Sequence, residues 1–119
     1  MTGVQTCALP ISDRIIGAEG TGFQTAMQTL DHTRITIGAQ AIGVAQAAVD
    51  VATSYAKERQ QFGKSISSFQ GIQFMLADMA MKIEGARHLV YHAAQLKDAG
   101  KSFVKEASMA KLYASEIGN

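Results

Sequence analysis

The run LDHTRITIGAQAIGVAQAAVDVATSY (residues 30–55) decides the fold. Within it Leu30, Arg34, Ile37, Ala41, Val44, Ala48, Ala52 and Tyr55 recur at steps of three or four, which is the period of an α-helix. The small residues Ala39, Ala41, Ala45, Ala47 and Ala48 favour helix and leave room for a neighbour. Gly38 and Gly43 weaken the helix locally but permit a second helix to come close. Just upstream, Thr21 and Gln24 have capping-box spacing, so the helix is predicted over about Gly22–Arg59. A helix this long in so short a chain implies a bundle.

The flanking sequence supplies the partners. Gln60 to Ser68 breaks the pattern, with Gly63, Ser65, Ser67 and Ser68 marking a loop. Ser67 and Gln70 repeat the capping-box spacing and predict a second helix over about Phe69–Ala99. Its apolar stripe is Ile72, Met75, Leu76, Met79, Ile83, Ala86, Val90 and Ala93. Gly100 closes it as a C-cap residue, and Ser102 is a candidate N-cap for a third helix. That helix carries the stripe Phe103, Ala107, Ala110, Ala114 and Ile117. At the other end, Arg14, Ile15 and Ile16 read as an extended lead-in, broken by Gly17, Gly20 and Gly22. The expected fold is all-α: an antiparallel helical bundle, an incomplete four-helix bundle of about three helices, with a short extended N-terminal lead-in. A long helix pair with a short third partner leaves apolar surface uncovered, so further sequence or a partner subunit is expected to cover it.

Composition narrows the function. The chain has 119 residues, enough for one domain, and 47% are hydrophobic against 18% charged. Eleven Lys and Arg oppose ten Asp and Glu for a net charge of +1, which gives no electrostatic case for nucleic acid or an anionic membrane. No apolar run reads as long enough to cross a bilayer. Cys7 stands alone and cannot form an internal disulfide, so a reducing compartment is expected. No Lys or Arg precedes Arg14, and no secretory signal is visible, so a cytoplasmic location is expected. Residues 1–11 resemble a string left at the ends of unrelated translated sequences by sequencing-adapter read-through. They are therefore set apart as a non-native leader.

Four local patterns carry a resemblance. They are GAEGTGF (residues 17–23), LDHTR (residues 30–34), YAKERQQFGK (residues 55–64) and FQGIQFMLADMA (residues 69–80). In this order and spacing the chain resembles acyl-CoA dehydrogenases, from about Asp13 to its end. The resemblance implies the end of a middle β-domain over residues 12–22 and part of a C-terminal four-helix bundle over 23–119. It implies FAD as cofactor, which accepts a hydride from the β-carbon of an acyl-CoA while a carboxylate base removes the α-proton. It also implies a tetramer packed through the bundles and an electron-transfer flavoprotein as acceptor.

Residue by residue, Asp31, Thr33 and Arg34 match the family's substrate-contacting segment. An Asp can accept from an amide, and an Arg can donate to substrate oxygens or orient a carboxylate. Without the resemblance, Asp31 and Arg34 read as an i,i+3 surface ion pair. Arg59, Gln60 and Gln61 match the segment that reaches the FAD of a neighbouring subunit, where an Arg fork suits a pyrophosphate. Alternatively Arg59 is only a cation at a helix C-terminus. Phe62 and Gly63 shape the turn. Phe69 and Gln70 match a second flavin-contacting step, with a capping role as the alternative for Gln70.

Other clusters read more plainly. Phe74, Met75, Met79 and Met81 suit core packing. Glu84, His88 and His92 share one face but lack the Glu-x-x-His pairs of di-iron bundles, so they read as an exposed polar face and no metal site is assigned. The general base is missing. Most of the family carry it in a Glu-Gly-Thr segment near the C-terminus, and a minority as a Glu one residue before the Arg matched by Arg34. Here Thr33 holds that position and cannot act as a carboxylate base. The base is expected beyond Asn119, and the chain alone is expected to be inactive. Two other readings remain: a related flavin monooxygenase or acyl-CoA oxidase, and a non-enzymatic helical module that associates with itself.

Overall fold

A computed structural model describes residues 15–119; residues 1–14, including Cys7 and Arg14, lie outside the described residues. Three helices dominate: α1 (Gly22–Glu58), α2 (Gln70–Asp98) and α3 (Val104–Ile117). Between α1 and α2 lies a two-stranded antiparallel hairpin, β1 (Gln60–Gln61) and β2 (Lys64–Ser65), then a 3-10 turn over Ile66–Ser68. The hairpin replaces the irregular loop expected from Gly63 and the serines. Register pairs Gln60 with Ser65 and Gln61 with Lys64. Phe62 and Gly63, at φ 52° and 76°, make the two-residue turn. Positive φ at both central residues is the geometry that matches strand twist in tight hairpins. Strands of two residues are too short to leave an alternating pattern in the sequence.

The helices run up, down, up. Gly38 of α1 faces Val90 of α2 and Ala110 of α3. Gln46 accepts a hydrogen bond from Arg87 Nη2 at 3.0 Å, closer to the start of α2 than Val90 is, so α1 and α2 are antiparallel. Arg34 reaches Ser108, and Ala41 approaches Gly118, so α3 runs back alongside α1. The α2–α3 corner is a hydrogen-bonded C-cap: Gly100 N–H donates to Lys97 O at 3.0 Å and Lys101 N–H to Leu96 O at 2.9 Å. Gly100 stands at φ 66°, the left-handed conformation this closure needs.

The expected N-caps do not form. Thr21 precedes α1, but its hydroxyl donates to Ala18 O at 2.6 Å and makes no capping bond. Ser67 lies inside the 3-10 turn, and α2 starts after Phe69 without a side-chain cap. Phe103, not Ser102, precedes α3. Of the expected extended lead-in, Arg14 lies outside the described residues, Ile15 and Ile16 belong to no strand, and Gly17 and Gly20 turn the chain toward α1.

The core differs most from expectation on α1. The C-terminal half of the α2 stripe and the alanines of the α3 stripe pack as read, burying Ile83, Ala86, Val90, Ala93, Ala107, Ala110 and Ala114, while Ile72, Met75, Leu76 and Met79 of the α2 stripe are not buried. On α1 the packed face is Ile35, Gly38, Ile42, Ala45, Val49 and Ala56, about 100° around the helix from the expected stripe. Leu30, Ile37, Val44 and Tyr55 of that stripe are exposed, as are Phe23, Met27 and Val51. The reason is close approach. A Cβ on Gly38 would stand 3.0 Å from Val90 Cγ2, and the fully buried side chains of α2 and α3 are alanines. Gly38 sets the point of closest approach on the inner face, and Ile35, Ile42 and Val49 pack to either side of it.

The uncovered apolar surface expected from the helix lengths is therefore real. The Cα radius of gyration is 22.4 Å and the extents are 71 × 49 × 16 Å. A compact chain of about 100 residues has a radius near 13 Å. A groove of about 580 Å³ also opens between the helices, lined by Ala45, Val49, Met79, Ile83, Tyr113 and Ile117. At its rim Asp78 accepts from Lys82 Nζ at 2.7 Å. That hydrogen bond, with the charge attraction behind it, raises the lysine above its ordinary pKa.

One expectation about membranes needs correcting. α1 is long and apolar enough, by length and composition, for a bilayer-crossing helix. Its apolarity comes largely from Ile35, Ile37, Ile42, Val44, Val49 and Val51 with alanines between them, interrupted by Gly, Gln and Asp so that no continuous apolar run forms. One face is already packed on α2 and α3, and α2 carries the Asp78–Lys82 and Glu84–Arg87 ion pairs.

Candidate functional site

Two groups of polar residues stand at opposite ends of α1. The first is the LDHTR segment. The Arg34 guanidinium uses one nitrogen, Nη1, for two partners: it donates to Asp31 Oδ1 and, at 3.2 Å, to Ser108 Oγ on α3. The ion pair read from the i,i+3 spacing thus forms, and it extends across a helix interface. Arg34 Nε and Nη2 have no protein partner among the described residues. Both side chains are part-buried. Thr33 is exposed, and its hydroxyl donates to Leu30 O at 3.1 Å, which leaves it an acceptor only. Next to them the His32 ring lies 5.2 Å from that of Phe103. The segment is therefore tied to the start of α3 at two points.

The second group surrounds the hairpin. Arg59 is the C-cap residue of α1; its N–H donates to Tyr55 O at 2.8 Å and its carbonyl accepts from Ile66 N–H at 2.9 Å. Its backbone is fixed, while its side chain is exposed and in no ion pair among the described residues. A cation at this end of α1 also suits the helix dipole. Gln60 and Gln61 are exposed on β1. Ser65 locks the hairpin to α1: its hydroxyl donates to Ala56 O at 2.7 Å and accepts from Ser67 N–H at 3.3 Å. Phe69 is half-buried, with Lys64 Nζ 4.5 Å from its ring centroid. Gln70 is exposed and makes no side-chain hydrogen bond among the described residues, so the capping role considered for it is not taken up.

Phe62 was underrated by the sequence reading. It is 90% exposed at φ 52°, and its ring meets Phe69 edge-on at 6.2 Å. The two rings, with Ile66, Ile72 and Met75, line an open apolar hollow of about 510 Å³. Aromatic edges beside a free cation and free amides suit a ligand that is planar at one part and anionic at another. The donor set thus fits part of a dinucleotide such as FAD. The hollow is open to one side, so these residues supply one wall of such a site.

The remaining polar face behaves as read. Glu84 pairs with Arg87 at 3.2 Å and with His88 at 3.4 Å. Met75, Met79 and Met81 are all exposed, so the core role expected of them is not filled within these three helices.

Comparison with known proteins agrees in sequence and in shape. Residues 20–119 match the family described as acyl-CoA dehydrogenase, C-terminal domain. The chain is 57% identical over 116 residues to a probable acyl-CoA dehydrogenase, FadE25, of Mycobacterium tuberculosis, covering 95% of this chain and 29% of that protein. It is 59% identical over 104 residues to the caffeyl-CoA reductase-Etf complex subunit CarC of Acetobacterium woodii, covering 87% of this chain and 27% of that protein. The solved butyryl-CoA dehydrogenase of Megasphaera elsdenii has a TM-score of 0.83 at 53% identity, covering 85% of this chain and 26% of that one. The chain thus spans under a third of the length of these relatives.

Proposed function

The chain belongs to the acyl-CoA dehydrogenase family, and we propose that it serves as the C-terminal helical domain of an FAD-dependent enzyme that converts acyl-CoA thioesters to trans-2-enoyl-CoA. Asp31, Thr33 and Arg34 contact the acyl-CoA. Arg59, Gln60, Gln61, Phe69 and Gln70 contact FAD, with Phe62 extending the aromatic wall. FAD, when bound, supplies the hydride acceptor. The α-proton goes to a carboxylate outside this set, since Thr33 is not an acid and Asp31 is neutralised by Arg34. Alone, the chain is inactive. Electrons leave to an electron-transfer flavoprotein, a reading supported by the relative that is named as part of an Etf complex. The enzyme acts in the cytoplasm. The monooxygenase, oxidase and non-enzymatic readings are not favoured, because the FadE25, CarC and butyryl-CoA dehydrogenase relatives, at 53–59% identity, are named as dehydrogenases or reductases of CoA esters.

The observation that carries this proposal is a distance. Arg34 and Arg59 sit on one helix, about 37 Å apart at roughly 1.5 Å per residue. A reacting carbon and the flavin must meet within about 3.5 Å. That separation supports a reading in which the two segments of one chain serve two different active sites, each completed by a second copy in a homo-oligomer, as in the tetramer that the family resemblance implies. In the full-length holoenzyme, Arg34→Gln raises KM for acyl-CoA about tenfold or more, as expected for losing a charged hydrogen bond. Arg59→Ala instead lowers bound FAD, read from the flavin absorbance of the purified protein. Unchanged KM and unchanged flavin content would overturn the assignment. The isolated chain, given FAD, acyl-CoA and a redox dye, is expected to leave the dye oxidised.

A further inference from the structure

Ser108 has no role in the reading above, yet among the described residues it is the one hydrogen-bond partner from another helix that holds the Arg34 guanidinium. Its hydroxyl proton is committed: Ser108 Oγ donates to Val104 O at 2.7 Å, within the first turns of α3. The oxygen can then only accept, and it accepts from Arg34 Nη1 at 3.2 Å. Asp31 takes the other proton of the same nitrogen. With both Nη1 protons occupied, the planar group cannot rotate freely, and its Nε–Nη2 edge is the side left open. That edge is the fork that binds a carboxylate or a pair of ligand oxygens with two parallel hydrogen bonds.

We propose that Ser108 is a positioning residue: with Asp31 it fixes the Arg34 guanidinium so that the Nε–Nη2 fork faces the acyl-CoA. This rests on the assignment of Arg34 to substrate contact. The His32–Phe103 ring contact, 5.2 Å between centroids, braces the same pair of helices beside it and keeps Ser108 within reach. Asp31 alone lies on the same helix as Arg34 and could follow it between rotamers. Ser108 comes from α3 and supplies a second, fixed direction.

The test uses the full-length holoenzyme with Arg34→Gln, Ser108→Ala, Ser108→Thr and the Arg34→Gln/Ser108→Ala double variant. Alanine is the stronger helix former, so Ser108→Ala should fold. It is expected to raise KM for acyl-CoA about three- to tenfold, the worth of one hydrogen bond, with kcat within about twofold. Ser108→Thr keeps the hydroxyl and restores KM. The double variant is no worse than Arg34→Gln alone. If Arg34→Gln raises KM but Ser108→Ala does not, the role of Ser108 is overturned and the substrate assignment survives. If Arg34→Gln leaves KM unchanged, the substrate assignment itself fails. A fall in kcat and thermal midpoint that threonine does not rescue would mark Ser108 as structural only and overturn the proposal.

Discussion

Phe62 holds a left-handed backbone conformation that aromatic side chains rarely adopt, and it does so while pointing into solvent. Such a conformation costs on the order of 1 kcal/mol or more and persists where something else requires the side chain. Asparagine before glycine is the favoured pair for this turn. Phe62→Asn is therefore expected to stabilise the folded protein by about 1 kcal/mol in denaturant titration while lowering FAD retention. Stabilisation with full flavin content would remove Phe62 from the cofactor wall. At this scale the sequence was legible only through resemblance. Asp31, Arg34 and Arg59 are ordinary helix-surface charges by spacing alone. Ser108 lies 74 positions from Arg34, and no local pattern connects them.

The elements show what periodicity can and cannot decide. It located all three helices, the packed face of α3 and the packed C-terminal half of α2. It chose the wrong face of α1, because α1 has two apolar faces and hydrophobicity does not distinguish a face that packs inside the chain from one that packs elsewhere. Gly38 marks the packed face, since it allows an approach that a larger side chain would block. The two glycines of α1 make the contrast testable. Nothing lies within 4 Å of a Cβ at Gly43, whereas one at Gly38 meets Val90 at 3.0 Å. Gly43→Ala is expected to stabilise by about 1 kcal/mol through helix propensity. Gly38→Leu is expected to destabilise by roughly 1–3 kcal/mol through overpacking. Chemical denaturation of the full-length protein measures both, and equal effects at the two sites would contradict the packing described here. The caps were misread for a related reason: Thr21 and Ser67 have the right spacing, but turn carbonyls and serines nearer in space engage their side chains first.

The whole molecule is a plate of helices with an apolar stripe from Phe23 to Tyr55 on one side and a groove on another. Its fully buried core side chains are alanines, which contribute little apolar area each. Such a unit gains stability from the surfaces that cover it, and it explains why the sequence implied missing partners before any coordinate was known. The same length that exposes α1 separates its two functional ends. In the proposed function, each active site joins the Arg34 end of one copy to the Arg59 end of another. The most direct test is complementation in mixed oligomers of the full-length enzyme. Subunits carrying Arg34→Gln and subunits carrying Arg59→Ala, each poorly active alone, are co-expressed with different tags and purified through both. Mixed oligomers should regain dehydrogenase activity, because some sites then pair an intact Arg34 with an intact Arg59 from the other subunit. Activity no higher than that of the better parent would mean that both arginines serve a site within one copy, or that one serves none.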